Sequence, residues 1–254
     1  MDYITVEEAI DAGGLRLVLT AGVPGPWGEA AKYILQHKGI EFLPVHQEGG
    51  GENAALQQWT GQNSAPVLVY EDLPPISHWL DLLMFAERHR PEPVLVPLDS
   101  RLRTTTLGLS ALIAGVDGLG WNRRLQMLAP IMAMDEPVPA YARMALKYGW
   151  SVEAHDAASQ RLGSILAELD RQLQIQSQRG SEYFVGDALS AADLYWASFS
   201  GMFKPLPQDL NPVPDFLRQT YSSAPAEVMA AFTPALEAHR DRIFERYIRL
   251  PLDY

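Results

Sequence analysis

The sequence predicts an α/β region of order βαβαββα followed by an all-helical region. Two observations point to this. Short apolar runs punctuated by glycine and proline fill the first part of the chain. Beyond the proline-rich stretch 91–97 strand-like alternation disappears and helical spacing takes over. The boundary falls near residues 91–99, which predicts one domain over residues 1–92 and a second over residues 99–254.

Each element has its own warrant. Leu15, Arg16, Leu17, Val18 and Leu19 alternate as a strand, and the run Ala21-Gly22-Val23-Pro24-Gly25-Pro26 breaks it. A helix is predicted from Pro26 toward Lys38, because a first-turn proline sacrifices no hydrogen bond and Gly39 supplies the C-cap. Residues 41–45 read as a second strand. Gly49, Gly50 and Gly51 lead into a short helical piece ending near Trp59. Residues 66–70 read as a buried strand, with a turn at Asp72 into another extended piece. Trp79, Leu80, Leu83 and Phe85 then recur at helical spacing until Pro91. Further helices are predicted over residues 101–119, 140–178, 191–199 and 233–248. In the last, Thr233 is the N-cap, Pro234 sits at the first turn, and Glu237 with Arg240 and Arg242 with Glu245 lie at pairing distance.

Composition narrows the function classes. The 254 residues carry 20 Lys and Arg against 31 Asp and Glu, a formal charge of −11, and no cysteine. Disulfides, thiolate metal sites and a Cys nucleophile are therefore excluded. Nucleic acid and anionic membrane are poor partners for such a charge, since both need concentrated Lys and Arg. The acidic start from Met1 to Glu8 lacks the basic and then apolar pattern of a signal peptide, and the greasy stretch 107–119 falls short of the roughly 20 apolar residues that span a bilayer. A cytoplasmic setting is the expectation. The six histidines, His37, His46, His78, His89, His155 and His239, show no metal-ligating spacing; His78 and His89 on one helix would stand roughly 16 Å apart. No metal is expected. Gly49 to Gly51 lacks the Lys-Ser or Lys-Thr of a phosphate loop and reads as a flexible connection.

Two local signals remain. Pro66 in Ser64-Ala65-Pro66-Val67 opens a strand, where its missing N–H breaks no ladder bond. On position alone an ordinary trans proline is the preferred reading; a cis bond would instead turn the Ala65 backbone outward to offer its N–H and C=O to a ligand. Ser190-Ala191-Ala192-Asp193 forms a capping box with Leu189 and Leu194 as its hydrophobic staple, a folding feature.

Together these features resemble the glutathione transferase superfamily, whose members join a thioredoxin-like βαβαββα domain to a helical-bundle domain. The resemblance rests on three segments in order: residues 19–40, ending in Lys38-Gly39-Ile40; Ala65-Pro66-Val67-Leu68, similar to the family's cis-proline strand; and Phe184-Val185-Gly186-Asp187-Ala188-Leu189-Ser190-Ala191-Ala192-Asp193-Leu194-Tyr195, similar to its capping motif. It implies glutathione as co-substrate, a small apolar electrophile as second substrate, and a homodimer. The chain departs from the family where a Tyr, Ser or Cys would hold the glutathione sulfur. Those positions fall on Ala21 and Gly25. Thr20 is the nearby hydroxyl, and the backbone N–H groups of Gly25, Trp27 and Gly28 at a helix start are the alternative.

The family's acid-Ser pair is also altered. Either Ser77-His78 or Ile76-Ser77 falls on it, and the second register is preferred because it leaves Asp81 exposed. Ser77 at a helix start still suits a carboxylate. The resemblance places Trp27, Ala65, Pro66, Ser77 and His78 against glutathione, with Thr20 and Gly25 in the catalytic role. It places Trp121, Arg124 and Tyr141 in the substrate pocket. From the residues alone the preferred reading is helix packing for Trp121 and a solvated face for Arg123 and Arg124. Three roles stay open: a glutathione transferase-like enzyme, a ligand-binding protein of the same fold that has lost the chemistry, and a structural interaction module.

Overall fold

The computed structural model describes residues 1–254. They form two compact units, Met1–Val94 with Gln208–Val213 and Leu250–Tyr254, and Leu95–Pro207 with Pro214–Arg249.

The first unit is built on a sheet of order β2-β1-β3, with β1 (Leu15–Thr20) in the centre. β2 (Leu43–Gln47) runs parallel to it, Thr20 beside Gln47, and β3 (Val67–Tyr70) runs antiparallel, Val18 beside Val67. The sequence predicts alternation in β1, but five of its six residues are buried, because helices cover both faces of the sheet. Arg16 is carried inside with them. Its guanidinium lies 5.8 Å from the Trp59 ring and donates to the Ala12 carbonyl. The expected fourth strand shrinks to one bridge, Ile76 with Leu68, whose two backbone bonds measure 2.8 and 2.9 Å. Pro74 and Pro75 precede Ile76 and have no N–H to extend the ladder.

Four helices complete this unit: α1 (Val6–Asp11), α2 (Pro26–His37), α3 (Ala54–Thr60) and α4 (Trp79–His89). α1 was not expected, although Thr5 and Glu8 form a capping box that starts it. α4 buries Leu83 and Phe85 as expected, together with Leu82 and Ala86, and leaves Trp79 and Leu80 half-buried. α2 is buried on nearly every side and carries a polar cluster into the interior. Lys32 Nζ stands 2.8 Å from Glu29 Oε2 and donates to the Asp253 carbonyl at 2.7 Å, while the Tyr33 hydroxyl donates to Glu29 at 2.6 Å. Burial pushes the Glu29 carboxyl above its ordinary range against the pull of Lys32 and Tyr33.

The second unit is all-helical: α5 (Ser100–Ala114), α6 (Leu119–Met132), α7 (Pro139–Tyr148), α8 (Val152–Gln178), α9 (Ala191–Ser200), α10 (Asp215–Tyr221), α11 (Ala226–Ala231) and α12 (Pro234–Tyr247). The single helix expected over residues 140–178 is two. Gly149 takes the left-handed conformation at φ 63° and ends α7, and Ser151 caps α8 by accepting from the Ala154 N–H at 3.1 Å. The helix expected over residues 101–119 stops at Ala114, and α6 follows as a separate, unexpected helix. A Cβ on Gly115 would come within 2.6 Å of the Ala111 carbonyl oxygen, so only glycine admits this turn. α12 begins as expected, with Thr233 accepting from Leu236 at 3.3 Å. Arg240 lies 3.6 Å from Glu237, but Arg242 turns to Glu182 instead of Glu245.

The capping motif at α9 forms, and its carboxylate does more than close a box. Asp193 accepts from the Ser190 amide at 2.8 Å, the Ser190 hydroxyl at 2.7 Å and the Phe184 amide at 2.9 Å, and it stands 2.9 Å from His239 Nε2. Leu189 and Leu194 are buried above it.

Candidate functional site

Parallel strands in an open α/β sheet leave the ends of their carboxyl sides uncovered, and ligands settle there. In the first unit that end is where β1 and β2 finish, at Thr20 and Gln47. The β1–β3 ladder ends at the Val18–Val67 pair, so Ala65 and Pro66 lie just beyond it, at the start of β3. The Ala65–Pro66 peptide is cis. Pro66 is buried and Ala65 is half-buried. Ser77, half-buried, follows directly on the bridge of Ile76 to Leu68 at the edge of β3.

The loop above this end turns into α2 at Gly25, whose φ of −81° and ψ of 113° make it an N-cap with no side chain to offer. Pro26 occupies the first helical position, so the donors at this end of the helix dipole are the amides of Trp27 and Gly28, beside that of Gly25. Gly28 has a packing reason to lack a side chain: a Cβ there would come 3.1 Å from Leu19 Cδ2 on β1. Thr20 lies close to this loop, its Oγ1 3.7 Å from where a Gly25 side chain would begin. Its proton is spoken for, since the hydroxyl donates to Gln47 Oε1 at 2.7 Å.

Gly49 to Gly51, expected to be a flexible connection, is tied down. Asn53 Nδ2 donates to the carbonyls of Glu48, Gly51 and Asn63 at 3.0 to 3.1 Å, and Asn53 Oδ1 accepts from the Glu48 amide. A Cβ on Gly51 would meet Glu48 Oε2 at 3.0 Å, so a carboxylate rather than a basic side chain borders this loop.

The second unit carries a contrasting group on α6, α7 and α10. Arg123 is 1% exposed. Its Nε donates to the Met202 carbonyl at 2.9 Å and its Nη2 to the Thr220 and Tyr221 carbonyls at 2.9 and 3.2 Å, with the Phe203 ring 5.7 Å away. It closes the C-terminal end of α10 and is no solvated residue. Burial, and then the neighbouring Arg124 guanidinium, lower it to about 10. Arg124 is half-buried and hydrogen-bonds the hydroxyls of Tyr148 and Tyr221, while its Nε is buried without a partner. The Trp121 and Tyr148 rings meet edge to face at 4.7 Å.

No known sequence family and no characterised protein matches this sequence. Solved structures do match in shape. A glutathione S-transferase from Methylobacterium radiotolerans, in complex with glutathione sulfonate, superposes with a TM-score of 0.63 at 17% identity over 91% of each chain. A glutathione S-transferase from Methylobacillus flagellatus with glutathione bound gives 0.64 at 14% identity over 91% of this chain and 95% of its own. The glutathione transferase Omega 3C of Trametes versicolor gives 0.60 at 17% identity over 95% and 89%. The chain has the glutathione transferase fold.

Within that glutathione transferase fold the residues singled out from the sequence divide into three groups. Thr20 ends β1 with the Gly25 loop close by, Trp27 lies in the first turn of α2, Ala65 and Pro66 precede β3, and Ser77 follows the Ile76 bridge. His78 is exposed as the N-cap of α4 and makes no capping bond; its Nδ1 leans 3.6 Å from Asp81 Oδ2. In the helical unit Trp121 and Arg124 meet around Tyr148. Tyr141 is at the other end of α7, seven residues or about 10 Å along the axis.

Tyr148, Lys147 and Tyr221 were missed by the sequence reading. Burial, and then the Arg124 charge, lower the Lys147 ammonium, and burial raises the Tyr148 hydroxyl against the pull of Arg124. A signal for Tyr148 was present, since Gly149 marks a helix end and the last turn of a helix packs its side chains back over the preceding one. Nothing local in the sequence marks Tyr221, which reaches Arg124 only through tertiary packing. No helix of the chain is long and apolar enough to cross a membrane.

Proposed function

We propose that the first unit binds glutathione as co-substrate and presents its sulfur for transfer to a small, mainly apolar electrophile. The observation that carries this reading is the meeting, at one end of the sheet, of three features: the uncapped start of α2, the backbone edge at Ala65–Pro66, and Ser77. An extended peptide needs main-chain partners, and the Ala65 N–H and C=O supply a strand-like pair. Ser77 takes the γ-glutamyl carboxylate. The thiolate lies at the N-terminus of α2, where the amides of Gly25, Trp27 and Gly28 and the helix dipole lower its pKa. Because the chain has no cysteine, any sulfur chemistry must arrive with a ligand. The reading includes a homodimer acting in the cytoplasm; sedimentation of the purified protein tests the first.

A second reading is favoured by one observation. The Thr20 hydroxyl donates to Gln47 and neither Ala21 nor Gly25 has a hydroxyl, so no side chain donates to the sulfur. Such a protein binds glutathione without activating it. Calorimetric titration with glutathione decides whether the site exists: heat with a rise in Tm supports both readings, and silence at millimolar glutathione removes both. A conjugation assay over a panel of electrophiles then separates them, with turnover supporting the enzyme and binding without turnover supporting the second reading.

A further inference from the structure

We propose that Gln47 is a positioning residue that turns the Thr20 hydroxyl into an acceptor toward the ligand and so holds the sulfur as a protonated thiol, a role that rests on glutathione binding at the start of α2.

The orientation of Gln47 comes first. Thr20 and Gln47 are register partners at the ends of β1 and β2, and Gln47 is 4% exposed. A side-chain amide donates from one end and accepts at the other, so what its nitrogen meets decides which way it faces. Gln47 Nε2 meets the carbonyls of Glu48 and Asn63, the second at 3.5 Å. Carbonyls only accept, which assigns the nitrogen to them and leaves the oxygen facing Thr20. Asn53 Nδ2 holds the same two carbonyls at 3.0 and 3.1 Å. The single hydroxyl proton of Thr20 is thereby committed to Gln47 Oε1, at 2.7 Å.

Two lone pairs remain on Thr20 Oγ1, and the chain gives them no donor. Thr20 Cγ2 is turned to Gly49, 3.2 Å from where a side chain there would begin, while Oγ1 lies 3.7 Å from the same point on Gly25, the N-cap of α2. The unspent acceptor therefore stands beside the amides of the helix start. A thiol suits that pair, donating its S–H to Thr20 and accepting from the amides; a thiolate meets the amides on one side and an oxygen lone pair on the other. Because a thiol is a weak donor, the contact adds little affinity, and its effect falls on which form of the sulfur is held. Without the Gln47 acceptor the hydroxyl proton is free to turn to the sulfur, and a charge-assisted O–H···S⁻ bond favours the thiolate by about tenfold or more. Gln47 thus opposes the α2 amides, which pull the thiol toward ionisation.

The whole chain is titrated with glutathione at neutral pH by calorimetry in two buffers of different ionisation enthalpy, which counts the protons released on binding. The native chain should release about 0.1 proton or fewer, and Gln47→Met, of similar length without the acceptor oxygen, about 0.5, the result of a roughly tenfold larger ionisation constant for the bound thiol. With Thr20→Val added to Gln47→Met the count should fall back to about 0.1, because the freed hydroxyl is gone. A merely structural role of Gln47 would not depend on Thr20 in this way. Release of about half a proton or more by the native chain overturns the proposal. So does a count that fails to rise in Gln47→Met, or one that rises and survives Thr20→Val. Each of those outcomes leaves glutathione bound, whereas no heat at millimolar glutathione removes the glutathione reading and this role of Gln47 together. If Gln47→Met does not fold, Gln47→Leu takes its place, and if neither folds the native count decides.

Discussion

The two helix starts that bear the family resemblance, α9 and α2, are opposites. At α9 one carboxylate gathers four groups: Asp193 meets the Ser190 amide, the Ser190 hydroxyl, the Phe184 amide and His239, all buried. At α2 no side chain answers the first turn, because Gly25 has none and Pro26 removes one donor. The first arrangement completes a fold. The second has no side-chain cap and follows the loop that leaves the carboxyl end of β1. Where a protein omits a cap at such a position, a ligand is the natural partner; where it builds a redundant one, the role is structural.

Four substitutions test that contrast. The largest effect is expected from Asp193→Ala, which strands His239 and two amides in the interior and should cost about 3–5 kcal/mol in chemical denaturation without touching the proposed glutathione site. A loss below about 1 kcal/mol would show that the α9 network is dispensable.

Gly25→Asp should do the reverse at α2. An added carboxylate caps the helix and stabilises it by a few tenths of a kcal/mol, yet competes with a thiolate and should weaken glutathione binding by about tenfold or more. Its would-be Cβ meets only Thr20 Oγ1, at 3.7 Å, so the substitution fits. Unchanged affinity by calorimetry would remove the α2 amides from the site. Thr20→Val deletes the bond to Gln47 and should cost about 1 kcal/mol of stability while glutathione affinity stays within about twofold. A marked loss of turnover instead would return the hydroxyl to the chemistry. The smallest stability change belongs to Ser77→Ala, within about 0.5 kcal/mol, with a several-fold drop in glutathione affinity. If the affinity holds, Ser77 does not receive the γ-glutamyl carboxylate.

Much of the fold was legible because it is written in local chemistry. Proline at a first helical turn, glycine at a helix end and Ser190 with Asp193 each act within a few residues, and α2, α9 and α12 begin where they predict. The Thr5 and Glu8 box that starts α1 was equally local and was overlooked. The half-burial of Trp79 and Leu80 in α4, the split at Gly149 and the shrinking of the fourth strand to Ile76 were less legible, since burial depends on what packs above each residue. The candidate site was legible in its residues and not in their roles: no reading of residues 20–47 along the chain shows that Gln47 takes the Thr20 proton.

By itself the sequence determined the α/β character of the first part, the helical character of the second and the absence of any thiol, because these follow from local propensity and composition. Tertiary structure alone decided which of two adjacent arginines is sealed. Arg123 and Arg124 differ by about 100° around α6. That rotation sends one guanidinium into the carbonyls at the end of α10 and leaves the other beside Tyr148 with a donor unspent. Charge and residue type were identical, and the difference came from what each face of the helix met.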